Sequence, residues 1–415
     1  MNSKHIIPVC VAGAATLPSL IVRFAGLSLP PPVTALVSGM AVLGASFLLL
    51  WACEAAQHDI SQALSLAIVA LLAVLPEYAV DMYFTWQAGQ HPESNYAQYS
   101  VANMTGANRL LIGVAWSVIA VIAWWRTRRE VRLEKVQRTE VLFLGLATCY
   151  GLVVPMKGTL AWYDAIVFLG IYVWYLVLSG KRPTEPPFTE GPALLLVRLE
   201  RKHRRIGTAL AFLCAGGVIL INAQPFCEGL LATGRMYHIN EFILVQWVAP
   251  VASEAPEFVV ASMLAWRGRS GTALGTLLSA ELNQWTLLVG MIPVVFAISH
   301  GGIVHPIPMG PFQMQEILLT ASQSALAVVM LSALRYGIGN AIVLFALFAG
   351  QLVLPAVANS MASPGLSGFA KDQIHSLFTL IYLVTAAVVF LLAPGRVWKL
   401  REGARAPDAV SPQSR

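Results

Sequence analysis

Apolar runs of bilayer length recur along almost the whole chain, and this restricts the fold more than any other feature. Within a bilayer the backbone must satisfy its own hydrogen bonds, which leaves only helices or a closed barrel. Runs near 20 residues select helices, since a tilted barrel strand needs only about 10. Twelve such runs can be read, at about 6–26, 34–56, 62–88, 97–125, 140–156, 160–179, 206–231, 241–266, 271–298, 315–335, 338–358 and 374–394. The fifth and tenth are short enough to be re-entrant. Only 12% of the 415 residues are charged, against roughly 25% in a soluble protein. The expected class is an all-α polytopic membrane protein with about 12 transmembrane helices. Lys4 followed by the 6–26 run reads as an uncleaved first helix rather than a signal peptide.

The net charge of +6 would suit a nucleic-acid partner if it lay on one exposed face, but its placement follows the membrane instead. With twelve spans and a cytoplasmic N-terminus, 22 Lys and Arg fall on the cytoplasmic side and three (Lys157, Arg235 and Lys371) outside. Arg23 and Arg109 lie within spans. This bias is the positive-inside pattern. It predicts a multi-pass protein of the cell membrane with both termini cytoplasmic, and no nucleic-acid partner. The stretch 180–205 contains Pro183, Pro186, Pro187 and Pro192 and a basic end, so an extended linker at anionic lipid headgroups is expected. A disordered tail is expected after Arg396. The five cysteines show no CxxC spacing and read as small buried residues.

Two of the spans carry the same short signature. Leu75-Pro76-Glu77-Tyr78-Ala79-Val80 recurs as Ala255-Pro256-Glu257-Phe258-Val259-Val260, with Glu257 lying 180 residues after Glu77. A carboxylate inside a span is costly and marks a pathway or a partner. The proline removes an amide donor and should break the helix locally, leaving carbonyls for a ligand. In the twelve-span topology the two helices run in opposite senses, as in transporters built from inverted repeats.

A second helix with polar residues at mid-depth follows each signature. The first bears Asn103, Gly106, Asn108 and Arg109; the second bears Ser279, Glu281, Asn283 and Gln284. Carboxylate, amide and backbone oxygens are ligands of hard cations. Glu77, Glu257, Glu254, Glu281, Asn103, Asn108 and Asn283 would therefore form one metal site, for a transported ion rather than a bound cofactor. Polar contacts between helices are the plainer alternative. Asp81, one turn after Glu77, could relay protons or cap a turn. Arg109 cannot shed its charge and must pair with carboxylates, of which Glu254 and Glu281 are the expected partners. There it would act as a tethered cation, or as a structural salt bridge away from the ion path. An intramembrane hydrolase using Glu254 and Glu257, or a cation channel, would use some of the same residues. No HExxH, GxSxG or mid-span histidine supports an enzyme, and duplication favours an antiporter.

Pro-Glu followed by Asn-x-x-Gly-Ala-Asn or Gly-Thr-x-x-Ser-Ala-Glu resembles the two alpha repeats of the sodium/calcium exchanger family, within the cation/calcium exchanger superfamily. The resemblance implies a ten-helix core of two inverted five-helix repeats, at 34–179 and 206–358. The remaining divisions would be an extra helix in 1–33, the linker at 180–205, an extra helix in 359–395 and the tail 396–415. It implies exchange of calcium or a related cation for sodium or protons by alternating access, with Glu77 and Glu257 as ligands. Inorganic cations and membrane lipid are the expected partners, and the number of subunits is left open. The chain departs from the family's usual Gly-Thr-Ser-x-Pro-Glu: one serine position is Val74 and its counterpart is Glu254.

Overall fold

The computed structural model describes residues 3–59, 74–180, 189, 191–302, 304–361 and 371–404. Within them, eleven spans are long and apolar enough to cross a membrane. The expected span at 62–88 is represented by α3 (Leu75–Gln90), and the rest of it lies outside the described residues. Five elements form the first repeat: α2 (Pro31–Ala56), α3, α4 (Tyr96–Leu110) continuing into α5 (Trp116–Thr127), α6 (Arg138–Gly151) and α7 (Trp162–Ser179). The second consists of α8 (Arg201–Tyr237), α9 (Glu241–Trp266), α10 (Ser270–Asn283) continuing into α11 (Val289–Ser299), α12 (Pro311–Leu331) and α13 (Ile338–Met361). Outside the repeats, α1 (Ser3–Phe24) packs on α2, and α14 (Lys371–Leu392) packs on α12.

The helix contacts come in inverted pairs. α2 packs on α8 and α6 on α12; α3 packs on α11, as its counterpart α9 packs on α5; α7 packs on α11, as α13 packs on α5. Two small antiparallel sheets repeat this relation. β1 (Val131–Arg132) pairs with β4 (Arg335–Tyr336), and β2 (Thr159–Leu160) with β3 (Ile307–Pro308). Residue 131 has its counterpart 176 residues on at 307, as 159 has at 335, so one pair is the image of the other at the opposite end of α6. Each pair joins a loop of one repeat to a loop of the other.

Each of the two polar helices is interrupted by a π-helical turn, at Leu111–Ala115 and at Gln284–Leu288. A π-turn widens the helix and displaces its carbonyls from the regular ladder, and such turns gather at functional sites. The carbonyl of Arg109, just before the first turn, accepts from Gln323 Nε2 at 3.2 Å.

Several expectations are corrected. The helix around Pro256 is not broken: α9 runs through both Pro250 and Pro256. A proline deletes one ladder hydrogen bond, and packing against α4 and α10 holds the remainder in line. In the first repeat Pro76 lies in the opening turn of α3, where a missing N–H costs nothing. The fifth and tenth spans are each long and apolar enough to cross a membrane, at Lys135–Lys157 and Pro311–Leu331. α8 begins at Arg201 and has 37 residues, because the basic end of the linker is helical. Gly191–Ala193 and Leu194–Val197 also form helical turns rather than extended chain; 181–188 and 190 lie outside the described residues. The tail is ordered through Ala404, where Thr139 Oγ1 donates to Gly403 O at 2.7 Å and Arg138 pairs with Glu402. Residues 405–415 lie outside the described residues. No disulfide joins the five cysteines, and only Cys53 and Cys227 are buried.

Candidate cation-binding site

The site forms where α3, α9 and α10 meet. Small residues permit the approach: a Cβ on Gly106 of α4 would stand 1.8 Å from the carbonyl oxygen of Gln246 on α9. This close contact draws α9 against the first repeat, and α9 brings Glu254 and Glu257 with it. Glu77 and Glu254 are buried, and both accept from Gln284 Nε2, at 3.2 and 3.1 Å. Thus a carboxylate of the first repeat and one of the second share a single amide, contributed by the π-turn of α10. Glu257 and Glu281 lie within electrostatic reach of both.

Placement of the other expected residues is uneven. Glu281 is fully buried, and its Oε1 accepts from Ser324 Oγ at 3.2 Å. Asn108 donates back to the Met104 carbonyl of its own helix at 2.8 Å, and Asn283 is buried immediately before the π-turn. Asn103 and Ser100 face Asp81, whose Oδ1 accepts from Ser100 Oγ at 3.2 Å. Asp81 therefore begins a polar file that continues through the 2.8 Å Ser100–Thr85 hydroxyl contact.

Arg109 does not pair with Glu254 or Glu281. Its Nη2 meets Glu316 of α12, its Nε donates to Thr105 O at 3.2 Å, and its guanidinium lies 5.2 Å from the Trp247 ring centroid. The arginine faces away from α10 because α12 offers a carboxylate already oriented by Gln246, whose Nε2 donates to Glu316 Oε2 at 2.7 Å.

The donor set suits a hard cation. Asn103 Oδ1, Asn108 Oδ1, Glu257 Oε2, Glu281 Oε2 and Gln284 Oε1 are buried oxygens with no hydrogen-bond partner, and buried acceptors are normally satisfied. Among the described residues, no three acidic, imidazole or thiol groups stand close enough to hold a metal ion by themselves. The amide of Gln284 separates Glu77 from Glu254, so a cation here needs amide and backbone oxygens as well as carboxylates.

Sequence reading named Gln284 as a mid-depth polar residue but left it out of the site, and it missed Glu316 and His375. Gln284 follows Glu281 by three positions and so shares its helix face, a signal that was available. Glu316 and His375 stood at the edges of spans drawn from 315 and 374, where a polar residue costs little. The helices begin earlier, at Pro311 and Lys371, which carries both side chains inside.

Comparison with known proteins agrees with this fold. The model of the family described as sodium/calcium exchanger protein matches residues 31–181 and 207–357. The crystal structure of the H+/Ca2+ exchanger CAX aligns with a TM-score of 0.89 and 38% identity, over 97% of this chain and 98% of that one. The sodium–calcium exchanger NCX_Mj, soaked with 100 mM Na+ and 10 mM Sr2+, aligns with a TM-score of 0.53 and 15% identity over 80% of this chain and 99% of that one, a likeness of fold. CaxA of Alkalimonas amylolytica, a candidate antiporter, is 32% identical over 83 residues, or 20% of this chain. That match spans about a quarter (26%) of CaxA.

Proposed function

The chain belongs to the sodium/calcium exchanger protein family, and on that premise we propose that it exchanges calcium or a related divalent cation for protons by alternating access. As a member of that family it is a multi-pass membrane protein and a cation antiporter. The observation that carries the finer reading is the shared amide: Glu77 and Glu254, one from each repeat, both hydrogen-bonded to Gln284 Nε2. Two carboxylates that close, out of water, cannot both keep a full charge without a cation between them or a proton on one. Cation entry and proton release then become one event. Asn103, Asn108 and the free oxygens of Glu257, Glu281 and Gln284 would complete the oxygen shell. Asp81, Ser100 and Thr85 would carry protons toward the end of α3.

Two further facts favour protons over sodium. Val74 and Glu254 replace hydroxyl residues of the usual repeat motif, so ligands suited to sodium are lost and a proton carrier is gained. The likeness to the H+/Ca2+ exchanger CAX extends over nearly the whole chain at 38% identity. The distribution of Lys and Arg supports cytoplasmic termini in the cell membrane. Calcium uptake into proteoliposomes under an imposed pH gradient, or a sodium gradient, tests the reading. Uptake driven by sodium and indifferent to pH would overturn it.

A further inference from the structure

We infer that His375 is a positioning residue that ties the cation affinity of the site to the pH at the membrane face where α14 begins; this rests on the exchanger function proposed above. α14 lies beyond the second matched repeat, which ends at 357, yet it delivers His375 into the core. His375 Nδ1 is 2.9 Å from Glu316 Oε1. The other oxygen of Glu316 receives Arg109 of α4 and Gln246 of α9. One carboxylate thus meets polar side chains from three helices. Two of these also carry the site: Arg109 follows Asn108, and Glu254 lies about two turns beyond Gln246 on α9.

Charge balance gives the direction of the effect. With a neutral imidazole, Glu316 and Arg109 cancel. A protonated imidazole leaves a net positive charge in a place from which water is excluded, next to a helix that lines the cation site. Coulombic repulsion in a low-dielectric interior then weakens cation binding. Of the neighbouring elements, α12 presents Glu316 and α13 contains no titratable side chain; α14 itself carries Tyr382, in the field of Arg109, and the oppositely charged Lys371 and Asp372, which offset each other. Imidazole is the side chain that ordinarily changes charge between pH 5 and 8. His375 is one turn from the start of α14, flanked by exposed Gln373 and Ser376, and Ser376 Oγ accepts from Gln315 Nε2 at 2.5 Å. Protons at that face therefore have a short route to the ring.

The test uses the full chain in proteoliposomes, with pH set separately on each face and calcium as the probe. The KM for calcium is measured for the wild type, His375→Gln and His375→Lys, with Ser376→Ala as control. Lowering pH from 8 to 6 at the face where α14 begins should raise the wild-type KM roughly tenfold more than it raises that of His375→Gln. His375→Lys should hold the high KM at both pH values. Any pH dependence common to all the proteins belongs to the carboxylates of the cation site. A His375→Gln profile identical to wild type overturns the inference. Absence of calcium-dependent exchange in the wild type overturns the proposed function, and is seen without reference to any variant.

Discussion

Arg109 of the first repeat is locked to Glu316 of the second, with side chains only 1% and 0% exposed. The pair joins α4 to α12, and Gln246 ties it to α9. Removing one member of a buried pair leaves a charge with no partner and typically costs about 3–5 kcal/mol, whereas replacing both by apolar residues costs far less. Glu316→Gln should therefore lower the melting temperature in detergent sharply, and the double variant Arg109→Leu, Glu316→Leu should recover much of the loss. A Glu316→Gln protein that melts like wild type would mean that the pair carries no such strain.

Glu77→Gln and Glu257→Gln each keep the side-chain shape while removing one charge from the oxygen cluster. Both proteins should remain monodisperse, with calcium uptake abolished. Wild-type uptake by either single variant would separate that residue from the cation site.

Gly106 faces the Gln246 carbonyl so closely that an added methyl group would stand 1.8 Å from it. Gly106→Ala should force α4 and α9 apart, lowering stability by about 1–3 kcal/mol and reducing transport with it. Gly170 has nothing within 4 Å of its ideal Cβ, so Gly170→Ala should be close to neutral. Equal effects at both positions would show that helix propensity, not the close approach, sets the cost.

Asp59, just beyond the end of α2, accepts from Arg204 Nε and Nη2 at 2.6 and 2.9 Å, with Arg201 and Arg205 nearby. Hydrogen bonding from Arg204 holds its carboxyl below the usual carboxylate range. A depressed folded-state value stabilises at pH above the unfolded value of about 3.9 and is lost as pH falls through the folded one. Asp59→Asn should thus melt below wild type at neutral pH, and the gap should close below about pH 4. A gap that stays constant from pH 7 to pH 3.5 would refute this coupling of α2 to α8.

Local composition alone determined the helical class, the position of most spans and the duplication. A span must be apolar over its full length, and a Pro-Glu pair within one is too costly to recur by accident. Even the alignment of Asn108 with Glu281 was legible: it has the 173-residue offset that separates the two π-turns, which begin at 111 and 284. Tertiary structure decided which charges meet. Arg109 finds Glu316, and Gln284 stands between Glu77 and Glu254, because contacts between helices far apart in sequence depend on crossing geometry and rotation about each axis. No local pattern encodes those angles. The ends of α8, α12 and α14 were misread for a related reason. Hydropathy draws a boundary at the first polar residue, whereas the folded chain carries Glu316 and His375 inward by giving each a buried partner.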